Sequence, residues 1–244
     1  MILLNFIING NDARYEYLRD YLIKKGHHMA CPADVLILSP KTDAVEYRKM
    51  ASPNALVWGS LTCEETLSRM NMRKIHQSDA FRRKNSQLTA EGALCLAIEH
   101  TPMGIAGSKV LILGYGFLGK ACAKAFSCLE ACITVCSSDC RELRLAASHH
   151  YNVQNLHLLS CLDYDLIINT IPCPILDNSL IDTILKGTVL LELASTPCCD
   201  TKVFHKVLIN GNNLPGRFSP VSAAMLIYEE LLLHIGKENE YGNS

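Results

Sequence analysis

The sequence predicts an α/β protein with two doubly wound, parallel-sheet (Rossmann-like) domains. Short apolar runs rich in β-branched residues alternate along the chain with amphipathic stretches of helical length, which is the pattern of a parallel sheet with helical crossovers. One run leads directly into a glycine-rich turn followed by a helix. The predicted strands are Leu3–Ile8, Val35–Leu38, Ala55–Trp58, Lys109–Leu113, Cys132–Cys136, Asp165–Asn169, Thr188–Leu193 and Lys206–Ile209.

Charge and hydropathy exclude several classes of protein. The 244 residues include 23 basic and 24 acidic side chains, so the chain has no basic field for nucleic acid or a membrane surface. No apolar run approaches the ~20 residues that cross a bilayer. The apolar segment Met1–Ile8 has no preceding basic region and no small-residue cleavage site, which favours a strand over a signal peptide. We therefore expect a soluble, cytoplasmic protein with neither nucleic acid nor membrane as a partner.

The 12 cysteines do not form a metal-binding pattern in the sequence. The chain contains no C-x-x-C. Four thiols recur at every fourth position, two at the ends of a predicted strand and one on each side of it: Cys128, Cys132, Cys136 and Cys140. These thiols would be spread over a helix end, a strand and a loop. We predict reduced thiols and no metal site, with redox or metal chemistry as the alternative.

Two helices determine the predicted domain organisation. Leu88–His100 is apolar on most of its circumference and so requires partners on several sides. The last helix begins at Ser219, with Pro220 in its first turn, and its apolar stripe predicts that it returns to cover the first domain. The two helices would cross between the domains and leave a ligand cleft there. The predicted domains are residues 1–100 with 219–244, and residues 101–218.

The glycine turn after the strand Lys109–Leu113 predicts a dinucleotide site. It reads G-x-G-x-x-G between a strand and an amphipathic helix, within a ~30-residue unit. In this pattern the first glycine permits the tight turn, the second lets the backbone approach a pyrophosphate, and the third lets the helix pack on the strand. The residues assigned to the cofactor here are Gly114, Tyr115, Gly116, Phe117, Leu118 and Gly119.

The end of the next strand decides between NAD and NADP. An acidic residue there would accept from the ribose 2′-hydroxyl of NAD. The predicted strand tip is Ser137, which has no charge to repel a 2′-phosphate, and Ser138 and Arg141 follow it. This favours NADP. Asp139 keeps NAD open, because a strand end shifted by two residues would make it the ribose acceptor.

Two further strand ends would line the same crevice, since the carboxyl ends of parallel strands meet at one edge of the sheet. We assign Asn169 and Thr170 to the nicotinamide side of a bound cofactor, with the alternative that they form a strand-ending turn. The full set of rim residues assigned to the cofactor is Asn169, Thr170, Ile171, Pro172, Ala194 and Ser195.

Seven segments in a particular order carry a family resemblance: Gly10–Arg14 (GNDAR), Asn85–Gly92 (NSQLTAEG), Ala97–Thr101 (AIEHT), Gly114–Gly119, Ile168–Pro172 (INTIP), Leu193–Pro197 (LASTP) and Leu214–Arg217 (LPGR). In these segments the chain resembles the A-type subunit of dipicolinate synthase, and the match is firmest from residue 85 to 223. The chain departs from the family pattern in three places. Phe117 stands where an arginine is frequent, Cys198-Cys199 replaces a glycine pair, and Val221-Ser222 replaces Lys-Thr.

The resemblance implies an NADP-linked oxidoreductase subunit that works with a flavoprotein-like, B-type subunit of dipicolinate synthase. Together they would oxidise a dihydrodipicolinate-type ring diacid to dipicolinate in the mother cell of a sporulating bacterium. A diacid needs cationic donors, and the guanidinium groups of Arg14 and Arg217 match carboxylates. The residues assigned to substrate are Asp12, Arg14, Asn85, Thr89, Glu91, Gly92, Leu214, Pro215, Gly216 and Arg217. Thr89 as a helix N-cap, Glu91 as a first-turn acid and Arg14 as a surface charge are the structural alternatives.

Two other functions remain open at this point. One is a non-catalytic NAD(P)-binding module that regulates or scaffolds a partner. The other is a two-domain dehydrogenase of hydroxy or amino acids, which is disfavoured because no histidine is placed as a general acid or base. We do not assign a catalytic residue, and a homodimer is a further predicted assembly.

Overall fold

The computed structural model describes residues 3–200 and 207–241. The chain divides into two compact units, each with its own parallel sheet. The first unit contains residues 1–82 and 215–244, and the second contains residues 83–214.

The first unit is built on four parallel strands that lie in the order in which they occur in the chain. The strands are β1 (Phe6–Asn9), β2 (Ala33–Leu38), β3 (Ala51–Trp58) and β4 (Met72–Lys74), and the connections contain α1 (Ala13–Lys24), a 3-10 helix (Ala44–Met50) and α2 (Glu64–Arg69). Each strand pairs in parallel with the next strand in the chain, and a single crossover connects the two. The strand order therefore does not reverse, and the first unit differs in this respect from the predicted doubly wound topology.

The last helix, α8 (Pro220–Tyr241), packs against α1 within the first unit. The rings of Tyr21 and Tyr228 meet edge to face with their centroids 4.8 Å apart. Ser219 immediately precedes the helix, and Pro220 is its first residue, where the missing proline N–H costs no helical hydrogen bond.

The second unit has a six-stranded parallel sheet in the order β10-β9-β8-β5-β6-β7. From its first strand, β5, the sheet grows in one direction through β6 and β7 and then in the other through β8, β9 and β10, which is the Rossmann order. Its strands are β5 (Lys109–Leu113), β6 (Cys132–Ser137), β7 (Asn152–Asn155), β8 (Leu166–Asn169), β9 (Val189–Glu192) and β10 (Val207–Asn210). The helices that follow them are α4 (Phe117–Ser127), α5 (Cys140–Ser148), α6 (Asn178–Asp182) and α7 (Leu214–Phe218), with a 3-10 turn at Leu156–Leu158.

Helix α3 (Asp79–His100) begins nine residues before the predicted start at Leu88. Two contacts stabilise its polar first turns. The hydroxyl of Ser78 accepts from the backbone N–H of Phe81 at 3.0 Å. The Phe81 ring is buried against Trp58, with the centroids 4.9 Å apart. A sequence pattern based on apolar periodicity does not show either contact.

The longer α3 also changes where the chain divides. Residues 83–100, which the sequence analysis placed in the first domain, belong to the second unit. The physical reason is that the apolar side of α3 is part of the second unit's core. Ala93 and Leu96 are buried in one cluster with Val110 and Ile112 of β5.

Within the described residues, none of the helices is both long enough and apolar enough to cross a membrane. In the same part of the chain, no three His, Cys, Asp or Glu side chains are grouped as metal ligands. Three of the four regularly spaced thiols lie where the sequence predicts, and the fourth, Cys140, lies in a helix and not in the predicted loop. Cys128 ends α4, Cys132 and Cys136 lie in β6, and Cys140 begins α5.

Candidate functional site

The glycine turn lies between β5 and α4, and each of its three glycines has a different physical role. Gly114 has a φ of +92°, and a Cβ there would lie 2.7 Å from Oγ1 of Thr170. A Cβ on Gly119 would overlap the carbonyl oxygen of Gly114. Gly116, in contrast, has open space where a Cβ would be. The first and third glycines are therefore needed for the turn itself, and the second leaves room for a ligand.

The open space at Gly116 lies at the start of α4. Gly116 is the N-cap residue, and it provides no side chain to cap the helix. The first-turn N–H groups of a helix have no partners within the helix, and its dipole is positive at this end. A phosphate group fits both properties, so the residues present are suited to the pyrophosphate of a dinucleotide.

The glycine turn is held against the ends of two neighbouring strands. The N–H of Gly114 donates to the carbonyl of Cys136 at the end of β6, at 2.8 Å. The hydroxyl of Thr170, which follows β8, donates to the carbonyl of Leu113 at 2.7 Å. Because β5 pairs with both β6 and β8, the turn lies at the point where the strand order reverses. Ligands of open α/β sheets bind outside the strand ends at this point.

Asn169 is placed differently from the expectation that it faces a bound cofactor. Its side chain is fully buried. Its amide donates to the carbonyl of Ile171 at 3.0 Å, and its amide oxygen accepts from the N–H of the same residue. Asn169 therefore shapes the turn after β8, while Thr170 and Ile171 lie beside the glycine turn.

Glu192 is a buried carboxylate that the sequence analysis did not single out. One oxygen accepts from the amide of Asn169 at 2.7 Å and from the N–H of Ala194 at 3.0 Å. The other accepts from the N–H of Cys198 at 2.8 Å. The carboxylate thus joins the turns that follow β8 and β9 and orders the segment that contains Ser195. The signal in the sequence is an acidic residue inside the apolar run VLLEL.

Ser137, the predicted strand tip, is the last residue of β6 and is buried. Its hydroxyl donates to Oε2 of Glu142 at 2.7 Å and accepts from the N–H of Asp139 at 3.1 Å. The same Glu142 oxygen accepts from the backbone N–H of Tyr115 at 3.0 Å. The carboxylate of Glu142 therefore lies between the glycine turn and the end of β6. No motif in the sequence predicts this position for Glu142.

Arg141 and Asp139 form an exposed ion pair. Asp139 caps α5 by accepting from the backbone N–H of Arg141 at 2.7 Å. The guanidinium group also donates to both Asp139 oxygens, with the shortest N–O distance 2.8 Å. The hydrogen bond and charge of Arg141 hold the pKa of Asp139 below its ordinary value. The neighbouring Ser138 is exposed.

The side chain of Tyr115 points into the core of the second unit. The ring is only 1% exposed, and its hydroxyl lies 2.7 Å from Nδ1 of His149. Burial raises the pKa of Tyr115 to about 12, so the phenol remains neutral at physiological pH. Tyr115 can therefore face a cofactor only through its backbone.

The arginine that is frequent after the second glycine in the resembling family is Phe117 here, but a cation lies next to this ring. The guanidinium carbon of Arg83, in α3, is 5.2 Å from the centroid of the Phe117 ring. Both residues line an open groove between α3 and α4 that also contains Glu91, Lys120 and Lys124.

The predicted substrate residues in α3 lie inside the helix and not at its start. The hydroxyl of Thr89 donates to the carbonyl of Asn85 at 2.8 Å, within the helix. The N-cap role for Thr89 and the first-turn role for Glu91 are therefore wrong, because the helix begins at Asp79. Glu91 is exposed and Gly92 is buried.

The remaining predicted substrate residues lie near the ends of β1 and β10. Asp12 caps α1 through the N–H of Arg14, whose Nε lies 3.1 Å from the Asp12 carboxylate. The tetrapeptide Leu214–Arg217 forms most of α7, with Leu214 buried and the Arg217 guanidinium over the ring of Phe218. The assignment of these residues to substrate stays a prediction.

The adjacent thiols of Cys198 and Cys199 are buried in a core cluster of the second unit. Burial and the neighbouring Glu192 carboxylate raise the pKa of Cys198. Neither cysteine has a positive φ, so the replacement of a glycine pair causes no backbone strain here.

The sheet order, the glycine turn and the helix N-terminus define this chain as a protein with a Rossmann-type unit. No protein-family model matches the sequence. The chain is 32% identical over 163 residues to the A-type subunit of dipicolinate synthase of Bacillus subtilis (strain 168), a match that covers 63% of this chain and 54% of that protein. The chain is similar to this dipicolinate synthase component over the matched residues, and the resemblance predicted from its motifs is confirmed. The match spans about half the length of this curated relative.

Two solved structures show the same fold. The crystal structure of the A-type subunit of dipicolinate synthase from Bacillus halodurans superposes with a TM-score of 0.80 at 19% identity, and covers 94% of this chain and 96% of that one. An L-alanine dehydrogenase superposes with a TM-score of 0.65 at 17% identity, and covers 91% of this chain and 78% of that one. The predicted α/β fold with parallel sheets in two domains is therefore confirmed.

Proposed function

We propose that the chain is an NAD(P)-dependent oxidoreductase subunit that oxidises a dihydrodipicolinate-type ring diacid to dipicolinate. The observation that carries the proposal is the glycine turn at the strand-order reversal, with open space at Gly116 and the N-terminus of α4 beside it. The relationship to dipicolinate synthase supports the choice of reaction.

The residues of the second unit would bind and orient the cofactor. The backbone of the glycine turn and the first turn of α4 would hold the pyrophosphate. Thr170 and Ile171, which lie against Gly114, would border the nicotinamide side. The Glu192 carboxylate keeps this rim in place through Asn169 and Ala194. Arg83, on the ring of Phe117, supplies a cation near the start of α4.

The chemistry proposed is the loss of a hydride and a proton from the substrate ring. Bound nicotinamide supplies the hydride acceptor, and the ring that loses a hydride and a proton becomes aromatic. Because aromatisation of the ring drives the reaction, the protein needs only to orient the substrate and the cofactor and to bind their anionic groups. Arg14 and Arg217 remain the proposed partners of the substrate carboxylates, because a guanidinium group binds a carboxylate in bidentate fashion.

The proposed partner is the flavoprotein-like, B-type subunit of a dipicolinate synthase, and a homodimer is a second proposed assembly. The proposed location is the cytoplasm, within the mother cell if the organism sporulates. The preference for NADP, which the sequence favours from Ser137 and Arg141, stays a prediction.

Reconstitution tests this function. The purified chain is mixed with its cognate flavoprotein-like partner, dihydrodipicolinate and oxidised nicotinamide dinucleotide, and dipicolinate is followed by its ultraviolet absorbance. We expect dipicolinate and reduced nicotinamide to form in equal amounts. Arg14→Gln and Arg217→Gln should raise the KM for the diacid if these residues bind its carboxylates. Cofactor binding without turnover would contradict the proposed reaction and favour a non-catalytic NAD(P)-binding module.

A further inference from the structure

The carboxylate of Glu142 occupies the corner between the glycine turn and the end of β6. Its Oε2 atom accepts from the N–H of Tyr115 at 3.0 Å and from the hydroxyl of Ser137 at 2.7 Å. These two donors come from different strand ends, so the position of the carboxylate is determined from both sides.

In a Rossmann unit this corner is next to the adenosine ribose. An acidic side chain at the end of the second strand normally accepts from the ribose 2′-hydroxyl. Here the second strand of the unit is β6, and it ends in Ser137, whose hydroxyl is turned toward Glu142. Glu142 therefore brings a carboxylate from α5 to the place where the strand end itself has none. Among the described residues none donates to its Oε1 atom.

The residues that predicted a 2′-phosphate site have other partners. Arg141 binds both carboxylate oxygens of Asp139, and Asp139 also caps α5. The ion pair reduces the positive charge that Arg141 could offer to a phosphate. Asp139 is likewise engaged with Arg141 and is not the carboxylate that contacts the glycine turn.

We propose that Glu142 determines the choice of dinucleotide, and that the site takes NAD(H) in preference to NADP(H). The inference rests on the proposed cofactor binding and names the form that is bound. The Oε1 atom would accept from the ribose 2′-hydroxyl, whereas a 2′-phosphate would bring up to two negative charges against the carboxylate. The proposal reverses the preference for NADP predicted from Ser137 and Arg141, because that prediction could not include a carboxylate from the following helix.

Calorimetric titration of the full chain with NADH and with NADPH tests the proposal. We expect the wild-type chain to bind NADH at least about tenfold more tightly than NADPH, which corresponds to about 1.4 kcal/mol. Glu142→Gln removes the charge but keeps an oxygen that can accept from Tyr115 and Ser137. We expect this variant to bind NADPH more tightly and NADH more weakly, so that the preference falls by about tenfold.

Two variants serve as controls, and circular dichroism checks that each is folded. Asp163→Asn removes a carboxylate that pairs with Lys109, at the opposite end of β5 from the glycine turn, and should leave both affinities unchanged. Asp139→Asn tests the competing ribose acceptor and should leave the preference for NADH in place. If the wild type prefers NADPH, or if Glu142→Gln does not change the preference for NADH, the role of Glu142 is overturned and the proposed function is not. Failure of both nucleotides to bind the folded wild type overturns the proposed function as well.

Discussion

The side-chain nitrogen of Asn169 lies 2.7 Å from Oε1 of Glu192, and this buried hydrogen bond joins the ends of β8 and β9. The Glu192 side chain also accepts two hydrogen bonds from the backbone of the turn after β9. A buried carboxylate is tolerated only when it is paired or hydrogen-bonded. Glu192 meets this condition through its hydrogen bonds. These bonds hold Asn169, and so the segment after β8 that borders the glycine turn, in place.

Replacing Glu192 should therefore destabilise the second unit. Glu192→Ala leaves the amide of Asn169 and two backbone N–H groups without their acceptor, and we expect a loss of about 3 kcal/mol in the free energy of unfolding. Glu192→Gln should cost less because it keeps one acceptor oxygen. Guanidinium unfolding followed by circular dichroism measures both. The exposed Asp182 serves as the control, and Asp182→Ala should change the free energy by less than about 0.5 kcal/mol. Equal effects at the two positions would contradict the ordering role.

The third glycine of the turn should be needed for folding. A methyl group on Gly119 would meet the carbonyl oxygen of Gly114, so α4 would have to move away from β5. We expect Gly119→Ala to lower the free energy of unfolding by about 2 kcal/mol. Gly104→Ala is the control and should change the free energy by less than about 0.5 kcal/mol, because Gly104 has no positive φ and open space where the methyl group would lie. A chain with Gly119→Ala that is as stable as the wild type would contradict the packing described here.

Thiol reactivity should differ strongly among the cysteines. The exposed Cys63 has its pKa lowered by hydrogen bonds from the hydroxyl and backbone of Thr66. Burial raises the pKa of Cys122 and Cys136 to about 12. The thiolate is the reactive form, so Cys63 should react with iodoacetamide below the ordinary thiol pKa of about 8.5. The two buried thiols should react only on unfolding.

Peptide mass spectrometry after alkylation at several pH values measures these rates. Thr66→Val removes the hydroxyl, so the pKa of Cys63 should rise and its labelling should shift to higher pH. Cys31, which is also exposed, is the internal reference in both chains. Labelling of Cys63 that is no faster than that of Cys31, or that Thr66→Val leaves unchanged, would contradict the prediction.

The buried carboxylate of Glu230 in α8 should stabilise the start of α3. Its two oxygens accept from the N–H and the hydroxyl of Ser78, at 2.6 and 2.8 Å. Glu230→Ala leaves these donors unpaired, and we expect a loss of about 2 kcal/mol in the stability of the first unit. Hydrogen exchange at the amides of Phe81 and Arg82 should become faster. Glu229→Ala, at an exposed neighbouring position, is the control and should cost less than about 1 kcal/mol.

The central strands could be predicted from the sequence because they are buried on both faces. β5 agrees with its predicted bounds, and β6 and β8 differ by one residue at one end. The edge strands β4 and β7 were not predicted. β7 reads NVQN and has only exposed or half-buried residues, so it lacks the apolar run that indicates a strand. Its pairing with β6 depends on tertiary contacts.

The candidate site could be predicted only in part for a related reason. The glycine turn and the segment after β8 are local patterns in the sequence. Because β5 and β8 are neighbours in the sheet, Thr170 lies against Gly114. Glu142 and Glu192 depend on long-range contacts. Glu142 accepts from Tyr115, 27 residues earlier in the chain, and Glu192 accepts from Asn169, 23 residues earlier. Their sequence neighbourhoods, a helical turn and an apolar strand, do not show these partners.

The most direct test of the central claim is calorimetric titration of the wild-type chain and Gly116→Ala with NADH and NADPH. The Gly116 position has space for a methyl group and a φ of −71°, so the variant should fold, with a melting temperature within a few degrees of the wild type because alanine is a weaker N-cap than glycine. The methyl group would occupy the space assigned to the pyrophosphate. We expect saturable binding of a nicotinamide dinucleotide to the wild type and affinity at least about tenfold weaker for the variant. Absence of binding to the folded wild type, or equal affinity in the two chains, would contradict a dinucleotide site at this turn.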